Sequence, residues 1–130
     1  MNKICTSLEQ SKKLIELGID INTADMYYEE VCNLPKAIIG NYILHNQCME
    51  DKDYKKLSNP VLSPAWSLSA LLDILPCNLK LVLAINDFQG DRKEKYVIGS
   101  VEHDKYDCFA DNPVDACYEM ILKLYELKLL

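Results

Sequence analysis

The chain has 130 residues, of which 49% are hydrophobic and 26% charged, and a net charge of −6. This balance indicates a globular chain with room for one core, which we expect to form a single domain over residues 1–130, and it excludes a disordered chain. The negative charge argues against a general nucleic-acid binder and against binding to anionic membranes.

The first ten residues lack the apolar run of a signal peptide, and the longest strongly apolar run, Leu81–Ile85, is far too short to span a membrane. We therefore expect a cytoplasmic protein with no membrane contact. In that compartment the six cysteines are expected to be reduced thiols. They are Cys5, Cys32, Cys48, Cys77, Cys108 and Cys117.

The first predicted helix covers about Ser7 to Leu17. Thr6 and Glu9 have the spacing of a capping box, and Gly18 is placed to end the helix in a Schellman motif closed by Ile19. Leu8, Leu14 and Ile15 are expected on its inner face, with Ser11 as a further candidate.

The segment after this helix has a less regular pattern. Met26–Cys32 and Ala37–Leu44 are expected to be strands, which would form a hairpin around Asn33-Leu34-Pro35. The charged segment Gln47–Leu57 is interpreted as a surface loop or short helical turn.

A central helix is predicted to follow Ser67, with Leu68, Leu71, Leu72 and Leu75 as its apolar stripe and Pro76 ending it. The alternative start is Ser63 as N-cap with Pro64 at the first helical position. Trp66, at the helix entry, is either a core anchor or an exposed anchor for a partner.

After Pro76 the spacing of the apolar residues changes from that of a helix to that of a strand. Leu79, Leu81, Leu83 and Ile85 alternate with other residues, which predicts a strand with one strongly buried face. Lys95–Glu102 and Lys105–Ala110 are the next predicted strands, separated by turn candidates at Asp87–Lys93 and His103-Asp104. Such short connections favour an antiparallel meander.

The last helix is predicted to begin after Asn112, with Pro113 at its first position and Asp115 in its first turn. Its inner residues are expected to be Val114, Cys117, Ile121 and Leu124, with Tyr118 and Tyr125 as further candidates. The sequence thus predicts an α+β fold with helices packed on a small antiparallel sheet.

Three stretches and the start of the last helix resemble a family of small uncharacterised proteins from gut anaerobes and their phages or mobile elements. They are Thr6–Ile19 (TSLEQSKKLIELGI), Thr23–Met26 (TADM), Pro64–Leu72 (PAWSLSALL) and Asn112–Ala116 (NPVDA). The resemblance implies a mobile-element context and carries over no catalytic residue, ligand or cofactor. Met26–Ser63 matches the family least.

The sequence contains no catalytic or metal-binding motif of standard spacing. Cys32, His45 and Cys48 match no zinc site, and Asp51-x-Asp53 lacks the glycine and glutamate of an EF-hand. Cys108 with His103 is the one conceivable nucleophile and base. We expect no cofactor.

The interpretation that we favour is a small interaction or regulatory module with a protein partner. The alternatives are a small enzyme with cysteine or carboxylate chemistry and an accessory protein of nucleic acids. Met120, Leu127 and the terminal leucines exceed one helix stripe, so they would form an exposed patch. We expect either a homodimer through this helix or the neighbouring sheet edge, or a monomer in which the N-terminal hairpin region covers the helix. The candidate binding residues are Trp66, Tyr27, Tyr28, Met120 and Leu127.

Overall fold

The computed structural model of the protein describes residues 3–30, 42–45, 62–86, 93–100 and 106–130. Within these ranges the chain forms three α-helices and two three-stranded antiparallel sheets, which confirms the predicted α+β class. By its internal contacts the chain divides into two compact units. We call Ser7–Ser67 the N-terminal unit, and Met1–Thr6 with Leu68–Leu130 the C-terminal unit.

The N-terminal unit contains α1 (Leu8–Glu16), β1 (Met26–Glu30), β2 (Tyr42–His45) and β3 (Leu62–Ala65), with a 3₁₀ turn at Ile21–Thr23. The C-terminal unit contains α2 (Leu68–Ile74), β4 (Leu81–Ile85), β5 (Tyr96–Ser100), β6 (Cys108–Ala110) and α3 (Pro113–Glu126), with a 3₁₀ turn at Cys77–Leu79.

The cap of α1 lies one residue later than its spacing predicted. Ser7 is the N-cap: the Gln10 N–H donates to Ser7 Oγ at 3.1 Å, and the Ser7 N–H donates to Gln10 Oε1 at 3.0 Å. Thr6, the expected cap, is instead fully buried. The capping box is therefore formed by Ser7 and Gln10, because glutamine at the third helical position bonds the cap backbone as glutamate would.

The end of α1 follows the prediction closely. Gly18 has φ 91°, and its N–H donates to the Ile15 carbonyl at 2.9 Å while the Ile19 N–H donates to the Leu14 carbonyl at 3.1 Å. These two bonds define a Schellman motif. Leu14 and Ser11 are buried, but Ile15 is exposed, so its assignment to the inner face was wrong.

The first sheet has the strand order β2-β1-β3. The predicted hairpin of β1 and β2 is present, with Tyr28 opposite Leu44. Strand β3 was not predicted, because Ser63-Pro64 also has the pattern of a helix start. Among the described strands β3 pairs only with β1, and a proline without an N–H is tolerated in an edge strand.

The second sheet has the order β4-β5-β6 and is the predicted antiparallel meander. Helix α3 packs on β5, β6 and α2. Ile98 at the middle of β5 is fully buried and lies opposite Leu83 of β4 and Cys108 of β6. The core of the C-terminal unit therefore lies between α3 and this face of the sheet.

Helix α2 begins at Leu68 and ends at Ile74, before Pro76, as the preferred start after Ser67 predicted. Leu71 and Leu75 are buried, but Leu72 is 41% exposed, so its assignment to the core was wrong. Successive residues turn by about 100°, and the buried stripe of this short helix includes Ala70 on the other side of Leu71. Leu72 therefore lies at the margin of the core and not within it.

Helix α3 has the predicted cap. The Asp115 N–H donates to Asn112 Oδ1 at 2.8 Å, and the Asn112 side-chain amide donates to Asp115 Oδ2 at 2.7 Å. Lys3 forms an ion pair with the same carboxylate at 2.8 Å. The buried residues of the helix are Val114, Ala116, Cys117, Tyr118, Met120, Ile121 and Leu124.

Several predicted segments lie outside the described residues. They are Gln47–Leu57, residues 37–41 of the second predicted strand, residues 87–92 of the predicted hairpin loop, and the His103-Asp104 turn.

Candidate protein-interaction surface

Strand β4 forms an outer edge of the described β4-β5-β6 sheet, and its sequence carries none of the usual protections of such an edge. Leu81–Ile85 contains no charged residue, no proline and no glycine. Proteins commonly place lysine, proline or a bulge on edge strands, because an open edge can pair with another strand. As far as the described strands extend, the β4 edge, defined as Leu81–Ile85, is therefore open to strand pairing.

The register of β4 shows which main-chain groups face outward. The Asn86 N–H donates to the Lys95 carbonyl at 2.7 Å, which makes Asn86 and Lys95 a hydrogen-bonded pair. Such pairs alternate along an antiparallel ladder, so Val82 and Ala84 also bond β5. The N–H and C=O groups of Leu81, Leu83 and Ile85 consequently point away from β5. Within the described part of the chain these groups have no other hydrogen-bond partner.

The side chains of β4 are more exposed than a strand with one strongly buried face would be, so that expectation was wrong. Ile85 is 67% exposed and Val82 is 50% exposed. Residues directly opposite in a ladder share a face, so Leu83 lies on the face of the buried Ile98, and Val82 lies on the other face. Val82 and Ile85, which lie on opposite faces, thus present apolar surface on both faces of β4.

A cavity of about 200 Å³ lies beside the β4 edge. We call it the edge cavity. It includes Leu81 and Ile98, which share one face of the sheet, and residues from the end of α2 onward. Its apolar lining consists of Leu72, Leu75, Pro76, Leu81 and Ile98, and Cys77 and Lys80 also contribute. An aliphatic side chain can pack against this lining, because five of its seven residues are apolar.

The 3₁₀ turn that contributes Cys77 to this cavity is fixed to the sheet. The Ser100 hydroxyl donates to the Leu79 carbonyl at 2.8 Å, and Ser100 is buried. Lys80 follows in the left-handed conformation, with φ 50°. This bond and turn bring α2 back to the edge of the sheet and set one wall of the cavity.

Trp66 is fully buried, so the structure supports the core-anchor interpretation and not the exposed one. Its indole Nε1–H donates to Thr23 Oγ1 at 2.9 Å, and the Thr23 hydroxyl donates to the Asp20 carbonyl at 2.6 Å. A buried tryptophan with its N–H satisfied is a packing element. Trp66 is therefore not available as a partner-binding side chain in this structure.

Two of the stretches that carry the sequence resemblance are hydrogen-bonded to each other. Thr23 accepts from Trp66, and Asp25 accepts both from the Ser67 N–H, at 2.9 Å, and from the Ser67 hydroxyl. These bonds close the turn before β1 onto the end of β3. They give Thr23–Met26 and Pro64–Ser67 a structural role in the N-terminal unit.

Tyr27 and Tyr28 are both half-buried on β1, the middle strand of the first sheet. As neighbours on one strand they point to opposite faces. They therefore do not form one continuous aromatic patch, although each remains partly accessible.

Met120 and Leu127 are not brought together at an exposed edge. Met120 is fully buried in α3, so its expected place at the rim of the helix stripe was wrong. Leu127 is 48% exposed and follows the end of α3, near the exposed Leu129 and Leu130. The exposed part of the predicted patch is thus limited to the end of the chain.

Cys5, Cys77, Cys108 and Cys117 form no disulfide bonds with one another, while Cys32 and Cys48 lie outside the described residues. Burial raises the pKa of the Cys117 thiol to about 12, because the thiolate would lose its hydration. Cys77 is exposed and contributes to the edge cavity. Cys77 is thus the more accessible of these two thiols.

The N-terminal unit has a cavity of its own, of about 180 Å³, between one face of α1 and β3. Its walls combine apolar Leu8 and Ile15 with charged Glu9 and Lys12. These charged residues stand one turn or less apart on a solvent-facing helix, which is an ordinary surface arrangement.

The described side chains offer no cluster of metal ligands. Among them, no group of three or more His, Cys, Asp or Glu residues is placed to hold a metal ion. In the same part of the chain, each helix is too short or too polar to cross a membrane.

The β4 edge and its cavity were missed at the level of sequence. The signal available was the uncharged run Leu81–Ile85, which was interpreted as a strand buried on one face. Which strand of a meander lies at the edge, and which helix end approaches it, depends on contacts distant in sequence.

Comparisons of the chain with protein-family models, with curated proteins and with solved structures give no match.

Proposed function

We propose that the protein is a small interaction module that binds a protein partner by adding a strand to the β4 edge. The observation that carries this proposal is the open, uncharged edge whose Val82 and Ile85 side chains are half or more exposed. Strand addition supplies main-chain hydrogen bonds for affinity and side-chain pockets for specificity.

The chemistry of the edge defines the class of partner. Outward N–H and C=O groups at Leu81, Leu83 and Ile85 match an extended peptide segment, and the edge cavity offers a place for one aliphatic side chain of that segment. An uncharged edge disfavours a strand with charges at the contact positions, because those charges would lose hydration without a counter-charge. The partner segment is thus an apolar strand.

Affinity capture from the native cell with matched variants tests this proposal. The edge variant is Val82→Lys with Ile85→Lys, which places two charges on the β4 edge. The matched control is Ile4→Lys, because Ile4 is 65% exposed in the same unit and lies outside the edge. We expect partners to be recovered by the wild type and Ile4→Lys and lost by the edge variant. Equal recovery by all three proteins, with each variant shown to be folded, would overturn the proposal.

A second candidate function is a small enzyme that uses a cysteine, and one observation favours it. The exposed Cys77 and Lys80 both contribute to the edge cavity, so a thiol and an ammonium group stand beside an apolar pocket. Turnover of a metabolite that is lost in Cys77→Ser and retained in Cys108→Ser would favour this candidate. Cys77→Ser that captures partners normally would favour the interaction module.

The context and the compartment expected from the sequence remain as two further proposals. We infer that the partner belongs to a phage or mobile-element context and that the two proteins meet in the cytoplasm. Cell fractionation followed by immunoblotting checks the compartment, and the identities of captured proteins check the context.

A further inference from the structure

We propose that the strand added to the β4 edge belongs to a second copy of this chain, paired antiparallel about a twofold axis at Leu83. The inference rests on the proposed function, that the β4 edge adds a strand. It specifies the partner, the register and the side chain that fills the edge cavity.

The register follows from the outward groups. In a twofold antiparallel pairing centred on Leu83, Leu81 lies opposite Ile85 of the second copy and Leu83 lies opposite Leu83. All three are residues whose N–H and C=O groups face outward, so every pair is a hydrogen-bonded pair and about six bonds form. Moving the axis by one residue along the strand, to Val82 or Ala84, leaves one outward residue unpaired. The register centred on Leu83 is thus the one that the edge satisfies best.

The same register fills the edge cavity. Ile85 of the second copy lies opposite Leu81 and on the same face, and Leu81 is part of the cavity lining. A cavity of about 150 Å³ accepts benzene, so the edge cavity of about 200 Å³ has room for the four-carbon side chain of isoleucine. Ile85, the most exposed large apolar side chain of β4, would thus be covered.

Charge and chemistry favour a second copy over another protein. The chain itself supplies an uncharged apolar strand, and it supplies the aliphatic side chain in the register that the main chain requires. At the ends of the pairing Lys80 lies opposite Asn86, so no like charges meet. The pairing is short, and we expect a dissociation constant on the order of micromolar to tens of micromolar.

The first experiment measures mass and amide exchange together. Light scattering across a dilution series should show a dimer that dissociates on dilution in the wild type and in Ile4→Lys, whereas Ile85→Lys should dimerise at least about tenfold more weakly. Amide exchange followed by NMR should show protection of Leu83 and Ile85 that rises with concentration. Val82 and Ala84 should be protected at all concentrations, because their groups bond β5.

The second experiment tests the register. Leu81→Glu and Ile85→Lys should each impair self-association, and an equal mixture of the two should recover it, because the carboxylate introduced in one copy would face the ammonium group introduced in the other. If Leu81→Glu fails to fold, Ala84→Lys serves as the second edge variant. Its self-association is then followed by amide exchange.

The outcomes separate this inference from the proposed function. A wild type that remains monomeric at high micromolar concentration overturns the homodimer, and capture that is lost in the edge variant would leave the interaction module standing. The homodimer through β4 is also overturned if Ile85→Lys still dimerises and the protection of Leu83 does not depend on concentration. The interface would then lie elsewhere. Failure of both the dimer and the variant-dependent capture overturns both proposals.

Discussion

At the scale of single residues, the hydrogen bond from Trp66 to Thr23 links two parts of the N-terminal unit that are 43 residues apart. Replacing Thr23 by valine keeps the shape but removes the acceptor of the buried indole N–H. We expect a loss of about 1–3 kcal/mol in the free energy of unfolding, the range for a buried donor left without its partner. Denaturant unfolding followed by tryptophan fluorescence measures it.

Thr23→Ser is the matched control, because it keeps the hydroxyl and removes only a methyl group. It should retain most of the stability. If valine and serine variants unfold at the same denaturant concentration, the bond does not contribute and Trp66 is held by packing alone.

The pKa of Cys117 has a consequence for stability at high pH. The thiol has a pKa of about 12 in the folded protein against 9.0 in its ordinary state. Between these values the unfolded chain loses the thiol proton while the folded chain keeps it, so folding stability falls as pH rises from about 9 towards 12. Below pH 9 this group has no effect on the pH dependence.

Because lysines and tyrosines titrate in the same range, the measurement is a comparison of the wild type with Cys117→Ala. The wild type should lose stability more steeply, by up to about 1.4 kcal/mol per pH unit. In the folded protein at neutral pH, a thiol reagent should modify Cys77 well before Cys117. Parallel pH profiles for the two proteins would contradict the raised pKa.

At the scale of elements, the buried and exposed faces of α2 should contribute differently to the free energy of unfolding. Leu71→Ala should cost about 2–5 kcal/mol, because Leu71 is fully buried and the change leaves a cavity. Leu72→Ala should cost less than about 1 kcal/mol, because Leu72 keeps much of its exposure to water. Chemical denaturation at low protein concentration, where the proposed dimer would be dissociated, compares the two. Equal losses would show that the helix is rotated from the described orientation.

The end of α3 contains a strained residue. The Leu129 N–H donates to the Leu124 carbonyl and the Lys128 N–H to the Tyr125 carbonyl, so the helix closes with a Schellman motif like that of α1. Here the left-handed position is taken by Lys128, with φ 59°, where α1 has glycine. Lys128→Gly should raise the free energy of unfolding by up to about 1 kcal/mol. The melting temperature should rise accordingly.

The reverse change at the equivalent position of α1 is the control for this prediction. Gly18→Ala should lower the stability by a similar amount, because alanine is strained at φ 91°. A Lys128→Gly variant that melts no higher than the wild type would indicate that the last turn of α3 is already frayed.

The elements that the sequence predicted well are those fixed by local chemistry. Gly18 ended α1 and Asn112-Pro113 began α3, because caps depend on neighbours within one turn. Strand β3 was not predicted, because the pattern of Ser63-Pro64 suits a helix start and an edge strand alike. The exposure of Leu72 and Ile85, and hence the edge cavity, could not be predicted, because it depends on how α2 and the sheet meet over long separations in sequence.

At the scale of the whole molecule, the net charge of −6 would affect the proposed self-association although the β4 edge is uncharged. Two copies repel each other at long range, and salt screens that repulsion. We therefore expect dimerisation to strengthen as ionic strength rises from about 0.01 M to about 0.15 M, where the Debye length falls from about 30 Å to about 8 Å. Sedimentation equilibrium at the two salt concentrations measures the change.

The sign of this salt dependence separates the homodimer from the nucleic-acid alternative. Binding to a polyphosphate weakens with salt, because counterions are released when basic side chains neutralise the phosphates. Association through an uncharged edge of two acidic chains has the opposite sign, and the apolar contacts of Leu83 and Ile85 are little affected by screening. Self-association that weakens as salt increases would mean that opposite charges meet at the interface, and the β4 edge would then not be the contact.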